Sequence, residues 1–154
     1  MQLSQKETDL LKDMKGTEKL CIDKYTKAAE EAFDPQLKQL CIRIAQVEQG
    51  HLDTLTKIEN GQTPAQNSGG GQQGQQTPTF TECYGPADSE EKTRDSFLAN
   101  DLLTTEKHAS HMYDTCVFEF KDENIRQSIN HIQKEEQEHG KQLYDYMSKN
   151  SMYS

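Results

Sequence analysis

The sequence has no apolar run longer than three residues, Phe97-Leu98-Ala99 being one such run, whereas a membrane-spanning helix needs roughly 20. A transmembrane segment is therefore excluded. Basic residues are in deficit, with 17 Lys+Arg against 26 Asp+Glu and a formal net charge of -9, which argues against nucleic acid as a partner. Cys21, Cys41, Cys83 and Cys116 form no C-x-x-C pair, so a zinc ribbon, a rubredoxin-type iron site and a thioredoxin-like motif are ruled out. The opening residues, Met1-Gln2-Leu3-Ser4-Gln5-Lys6-Glu7, lack the basic and apolar segments of a secretory signal, and a location on the cytoplasmic side of any membrane is expected. Apolar side chains make up only 32% of the 154 residues. One domain is the natural expectation at this length, and with so sparse a supply a folded reading depends on where the apolar residues fall.

They fall in four stripes. Residues 61–78 read GQTPAQNSGGGQQGQQTP, with five Gly, six Gln and no charge, the composition of a flexible linker. On either side lie two long polar stretches, each with one turn signal near its centre: Asp34-Pro35, a helix N-cap followed by proline at the first helical position, and Asp122-Glu123-Asn124. Ser4-x-x-Glu7 and Asp88-x-x-Glu91 have capping-box spacing. These signals predict helices over roughly 4–33, 35–60, 89–120 and 123–149. The fold expected is an all-α, single four-helix bundle spanning 1–154, made of two antiparallel hairpins (4–60 and 89–149) and a Gly/Gln-rich crossover (61–88).

Spacings of three and four put Leu11, Met14, Glu18, Cys21, Tyr25, Ala28 and Ala32 on one face of the first helix. The same rule gathers Leu37, Leu40, Ile44, Glu48, His51, Leu55 and Ile58 on the second, and Leu98, Leu102, Glu106, Ala109, Tyr113, Cys116 and Phe120 on the third. On the fourth it gathers Ile125, Ile129, Ile132, Glu136, His139, Leu143 and Tyr146. The two halves also match without a gap at an offset of 88 residues: Glu18 with Glu106, Tyr25 with Tyr113, Asp34 with Asp122, Glu48 with Glu136 and His51 with His139.

Each stripe is polar only at its centre. Glu18 and Glu48 lie 15 residues from the first turn, and Glu106 and Glu136 lie 15 from the second, about 22 Å along a helix in each case, so all four carboxylates can share one layer. Glu-x-x-His places both side chains on one face about a turn apart. One Glu from each of two helices plus one Glu-x-x-His from each of the other two is the ligand set of di-iron and di-manganese carboxylate bundles. With 15 Glu and five His in the chain, a single such motif carries little weight. Two of them, at matching places in a repeat and on core stripes, carry much more. The alternative is a metal-free layer whose acids and histidines pair with one another; crowded carboxylates would repel there, and each ion left charged costs several kcal/mol. The expected ligands are thus Glu18, Glu48, His51, Glu106, Glu136 and His139. A dinuclear iron or manganese centre suits them, and zinc is compatible by ligand type.

Tyr25 and Tyr113 follow their helix's glutamate by seven residues. Each is either an outer hydrogen-bond partner or electron donor to the metals, or a core aromatic with its hydroxyl satisfied. His108, His111 and His131 fall off the stripes and are expected on solvated faces. Cys21 and Cys41 differ in height by about 6 Å on the bundle axis and are expected to be small buried hydrophobes rather than a disulfide. Cys83 is expected to be exposed and free.

Leu102-Leu103-Thr104-Thr105-Glu106-Lys107-His108, Phe118-Glu119-Phe120-Lys121-Asp122 and His131-Ile132-Gln133-Lys134-Glu135-Glu136-Gln137-Glu138-His139 resemble the spore coat protein F (Coat F) family within the ferritin-like superfamily. The resemblance implies a ferritin-like bundle in the spore coat or mother-cell cytoplasm of a spore-forming bacterium. Its implied partners are metal ions and either other coat proteins or further copies of the chain, and its ligands fall on the same six residues. The sequence departs from relatives that place an additional carboxylate where Ala109 stands, and it lacks the C-x-x-C relay of rubrerythrins. Two functions follow. One is a coat component locked by a metal layer; the other is a dinuclear oxidoreductase acting on peroxide or dioxygen, with Tyr25 or Tyr113 tuning the metals or supplying an electron.

Overall fold

The computed structural model describes residues 2–64 and 77–153 and consists of four helices: α1 (Gln5–Glu31), α2 (Pro35–Glu59), α3 (Glu90–Val117) and α4 (Glu123–Lys149). Local chemistry sets their ends. Ser4 caps α1 in a full capping box, its hydroxyl accepting from Glu7 N while the Glu7 carboxylate accepts from Ser4 N at 2.8 Å. Asp34 and Asp122 cap α2 and α4, each accepting from the backbone N–H two residues on.

Two expectations need correction here. α3 is capped by Ser89, whose hydroxyl accepts from Lys92 N, and not by an Asp88-x-x-Glu91 box; Glu90 and Glu91 lie instead in its first turn, where negative charge favours the helix N-terminus. α3 also ends at Val117 rather than near 120. The chain leaves the helix early, exposing Phe118, so that Phe120 can be buried.

Every residue of the four stripes is buried. α1 packs on α2 and α3 on α4, with further contacts between α1 and α3 and between α2 and α4. The apolar core is split in two. One cluster joins the first turn region (Ala32, Leu37, Leu40) to Leu98, Leu143 and Met147. The other joins the second turn region (Phe120, Ile125, Ile129) to Leu11, Leu55 and Ile58. The two hairpin turns therefore lie at opposite ends of the bundle, and the polar layer sits between the clusters. Burial of each Leu or Ile stabilises by about 1.5–3 kcal/mol, which lets two modest clusters flank a polar centre.

A reciprocal clasp binds the hairpins. Glu7 of the first accepts from Lys121 N in the second turn at 3.0 Å. Asp95 of the second accepts from Phe33 N and Asp34 N in the first turn, both at 2.9 Å. Glu7 and Asp95, like Phe33 and Lys121, are 88 residues apart. Burial would raise the Glu7 pKa, but the backbone N–H groups of Lys121 and Ser4 hold it below its ordinary value.

The Gly/Gln-rich stretch expected to be flexible lies mostly at 65–76, outside the described residues. Residues 77–88, also assigned to the crossover, are fastened to the bundle. The Phe80 ring meets Tyr146 edge-on at 5.4 Å, and Thr81 exchanges hydrogen bonds with Gln36. Buried Asn150 accepts from Cys83 N and Tyr84 N, and the Tyr84 hydroxyl donates to Asp95. Among the described residues no helix is long and apolar enough to cross a membrane.

Candidate metal centre

Glu18 and Glu106 come from α1 and α3, whereas α2 and α4 each supply a Glu-x-x-His pair. The helical turn brings each histidine under the glutamate three residues earlier, and the clusters above and below close the layer from water: none of the six is more than 3% exposed. His51 Nδ1 lies 3.1 Å from Glu48 Oε2, 3.1 Å from Glu136 Oε1 and 3.7 Å from Glu18 Oε2. His139 Nδ1 lies 3.1 Å from Glu48 Oε1 and 3.4 Å from Glu106 Oε1. The two rings stack with centroids 6.1 Å apart. All six expected residues are thus brought together.

They form two overlapping groups, Glu18, Glu48, His51 and Glu136 on one side and Glu48, Glu106, Glu136 and His139 on the other, each able to aim four ligand atoms at one ion. Glu48 and Glu136 belong to both. Oε2 of Glu18, Glu106 and Glu136 is buried and finds no hydrogen-bond partner among the described residues. Native interiors rarely leave such atoms unsatisfied, and a site for an ion is one accepted explanation. Hard carboxylate oxygens with two imidazoles are a donor set for divalent iron, manganese or zinc, so the residues present fit a metal pair.

The electrostatics show what the layer costs by itself. Burial, reinforced by Glu48 and Glu136 and partly offset by His51, pushes Glu18 up to about 9. Burial likewise pushes Glu106 up to about 8, and burial with Glu106 as neighbour pushes Glu136 up to about 10. Burial alone would raise Glu48 too, but hydrogen bonds from both imidazoles reverse it and hold Glu48 well below the usual carboxylate range. Burial alone would lower His51, yet its bonds to Glu135, Glu136, Glu18 and Glu48 hold it well above the ordinary imidazole value. Glu48, facing both imidazoles, is thus the carboxylate favoured to ionise, while burial drives the other three toward protonation.

Both tyrosines donate across the hairpins. The Tyr25 hydroxyl donates to Glu106 Oε1 at 2.5 Å, and the Tyr113 hydroxyl donates to Glu18 Oε1. Their rings are fully buried, and burial holds both phenols well above their ordinary pKa, protonated as donors. His108 and His111 are exposed as expected. His131 is also exposed, but its Nε2 reaches Glu135 Oε1 at 2.8 Å. Cys21, Cys41 and Cys116 are buried free thiols, and Cys83 is an exposed one.

Sequence reasoning missed Glu135, which accepts from His51 Nε2 at 3.2 Å. The available signal was the doubled Glu135-Glu136, where the first repeat has Val47-Glu48. It also missed Asp95 and, beyond the capping box, the bond from Lys121 N to Glu7, two acids that the 88-residue offset relates to one another.

The Coat F domain model matches residues 94–154. The chain is also 41% identical over 69 residues to the uncharacterized protein YusN of Bacillus subtilis (strain 168), covering 45% of this chain and 61% of the relative. No solved structure matches. The match runs from α3 through the second turn and α4, taking in Glu106, Glu136 and His139. The likeness to the Coat F family is thus borne by the second hairpin of this bundle.

Proposed function

We propose that this chain is a ferritin-like, spore-coat-associated protein that holds two metal ions in the core of its bundle. The observation carrying the metal reading is the pair of overlapping four-ligand groups sharing Glu48 and Glu136. Glu18 and His51 would complete one position, and Glu106 and His139 the other. Iron or manganese fits the ligand set best, with zinc compatible. The coat assignment rests on the Coat F domain match at 94–154 and makes other coat proteins, or further copies of this chain, its partners.

The test is elemental analysis of protein purified without chelator. About two ions per chain are expected, with a melting temperature that drops on chelation and recovers on reloading. Glu48→Ala or Glu136→Ala should each reduce occupancy at both positions. Less than about half an ion per chain, with no stability change on chelation, would sink the metal reading.

A second reading, a dinuclear oxidoreductase acting on peroxide or dioxygen, is favoured by one further feature. A groove between α3 and α4, lined among others by Leu103, Ser110, Gln133 and Gly140, reaches Glu106 and Glu136 from the surface. A bound redox-active pair would supply the electron chemistry. The chain would admit the small substrate through the groove, exclude bulk water with its two apolar clusters, and keep a phenolic proton on Tyr25 and Tyr113 beside the ligands. Peroxide or oxygen consumption by the loaded protein should vanish in Glu48→Ala and Glu136→Ala. Turnover that survives both removes the enzymatic reading.

A further inference from the structure

The repeat that pairs Glu18 with Glu106, Glu48 with Glu136, His51 with His139 and Tyr25 with Tyr113 is broken at one place beside the site. Glu135 of α4 has Val47 of α2 as its counterpart. Glu135 is buried with its carboxylate against the outer ring nitrogen of His51, Nε2 to Oε1 at 3.2 Å, and the same oxygen lies 2.8 Å from His131 Nε2 at the surface. Val47 is half-buried and has no side-chain acceptor. Among the described residues His139 has no hydrogen-bond partner at its outer nitrogen.

A carboxylate behind a metal-binding imidazole fixes its tautomer and ring angle and raises its basicity; losing such a partner typically weakens metal binding by about 10–100-fold. His51 turns Nδ1 to Glu48 and Glu136 at 3.1 Å; where an ion takes the place of the Nδ1 proton, Nε2–H donation to Glu135 keeps the Nδ1 lone pair facing the site. His139 turns Nδ1 inward to Glu48 in the same way, but no described side chain stands behind its Nε2. We infer that the two metal positions are unequal, the His51 position binding its ion more tightly because Glu135 orients that imidazole and nothing equivalent orients His139. Glu135 is a positioning residue in this scheme, acting through His51. The inference rests on the two-metal reading above.

Two ions side by side repel, so stepwise loading of the wild type would not separate the positions. Single-position proteins do. His139→Ala keeps the His51 position, and His51→Ala keeps the His139 position. Each is titrated with cobalt(II), followed by its visible absorption, with circular dichroism melts to check folding. The His139→Ala protein is expected to bind cobalt about tenfold or more tightly than the His51→Ala protein. Adding Glu135→Val should erase that advantage in the first and leave the second unchanged, whereas Glu135→Gln, which keeps an acceptor oxygen at the same place, should restore part of it. Val47→Glu should tighten the His51→Ala protein. Equal affinities of the two single-position proteins, or equal weakening of both by Glu135→Val, would overturn the inference while leaving a two-ion wild type intact. A wild type that binds no cobalt would overturn it together with the metal reading.

Discussion

Glu48 shows how much a single residue's surroundings decide. It shares its spacing with Glu136 in the other repeat, yet both imidazoles hydrogen-bond to it and it alone of the four acids is held below the usual carboxylate range. The tyrosines are the other half of the layer's hydrogen bonding. Replacing Tyr25 with Phe leaves Glu106 Oε1 without its phenolic donor at almost unchanged shape, so metal stoichiometry should persist while stability falls by about 1–2 kcal/mol, measured by urea denaturation beside elemental analysis. The six proposed ligands and both tyrosines were legible in the sequence because a 3.6-residue period and a gapless repeat each select the same positions. Glu135 and Asp95 were not. An acid one position off a stripe, or in a helix's first turns, has the same local pattern as a solvated surface acid, and only the arrival of another element makes it a partner. His51 comes to Glu135 from 84 residues away, and the Phe33 backbone to Asp95 from 62.

At the scale of elements, helix starts were easier to read than helix ends. Ser4, Asp34 and Asp122 act through side-chain bonds only two or three residues long, which sequence displays directly. The end of α3 depends on the need to bury Phe120 and to bring Lys121 N to Glu7, a tertiary demand with no local signature. The clasp residues should matter out of proportion to their place near helix ends. Asp95→Ala would strip the acceptor from Phe33 N, Asp34 N and the Tyr84 hydroxyl together. A loss of about 2–4 kcal/mol is expected, read from the urea midpoint, with amide exchange quickening at residues 33 and 34 more than in α4.

For the molecule as a whole, the central layer sets an unusual response to pH. In metal-free protein Glu18, Glu106 and Glu136, raised to about 9, about 8 and about 10, and His51, raised as well, hold protons when folded that the unfolded chain has released. Their stabilisation is complete below the unfolded pKa values and is lost as pH rises through the folded ones, so stability should decline from about pH 5 to about pH 10. The lowered groups, Glu48 and Glu135, act only in more acid solution. Melts of chelated protein should therefore be higher at pH 6 than at pH 9. Metal-loaded protein should lose this slope, and loading should release protons into weak buffer, because ions replace protons as the countercharge. Chelated protein that grows more stable with pH would contradict this picture of the layer.

The broken pairing of Glu135 with Val47 has a consequence for how such a molecule can vary. Each proposed ion position draws on both hairpins, so a lone hairpin could complete it only by dimerising with an identical copy. In that dimer any residue behind one histidine would stand behind the other as well, and the two positions would be the same by symmetry. Joining the hairpins in one chain lifts that constraint: a substitution can strike one copy and spare its twin. A fused pair can thus keep one ion firmly and present the other loosely, a division of labour that a symmetric dimer of identical hairpins could not hold.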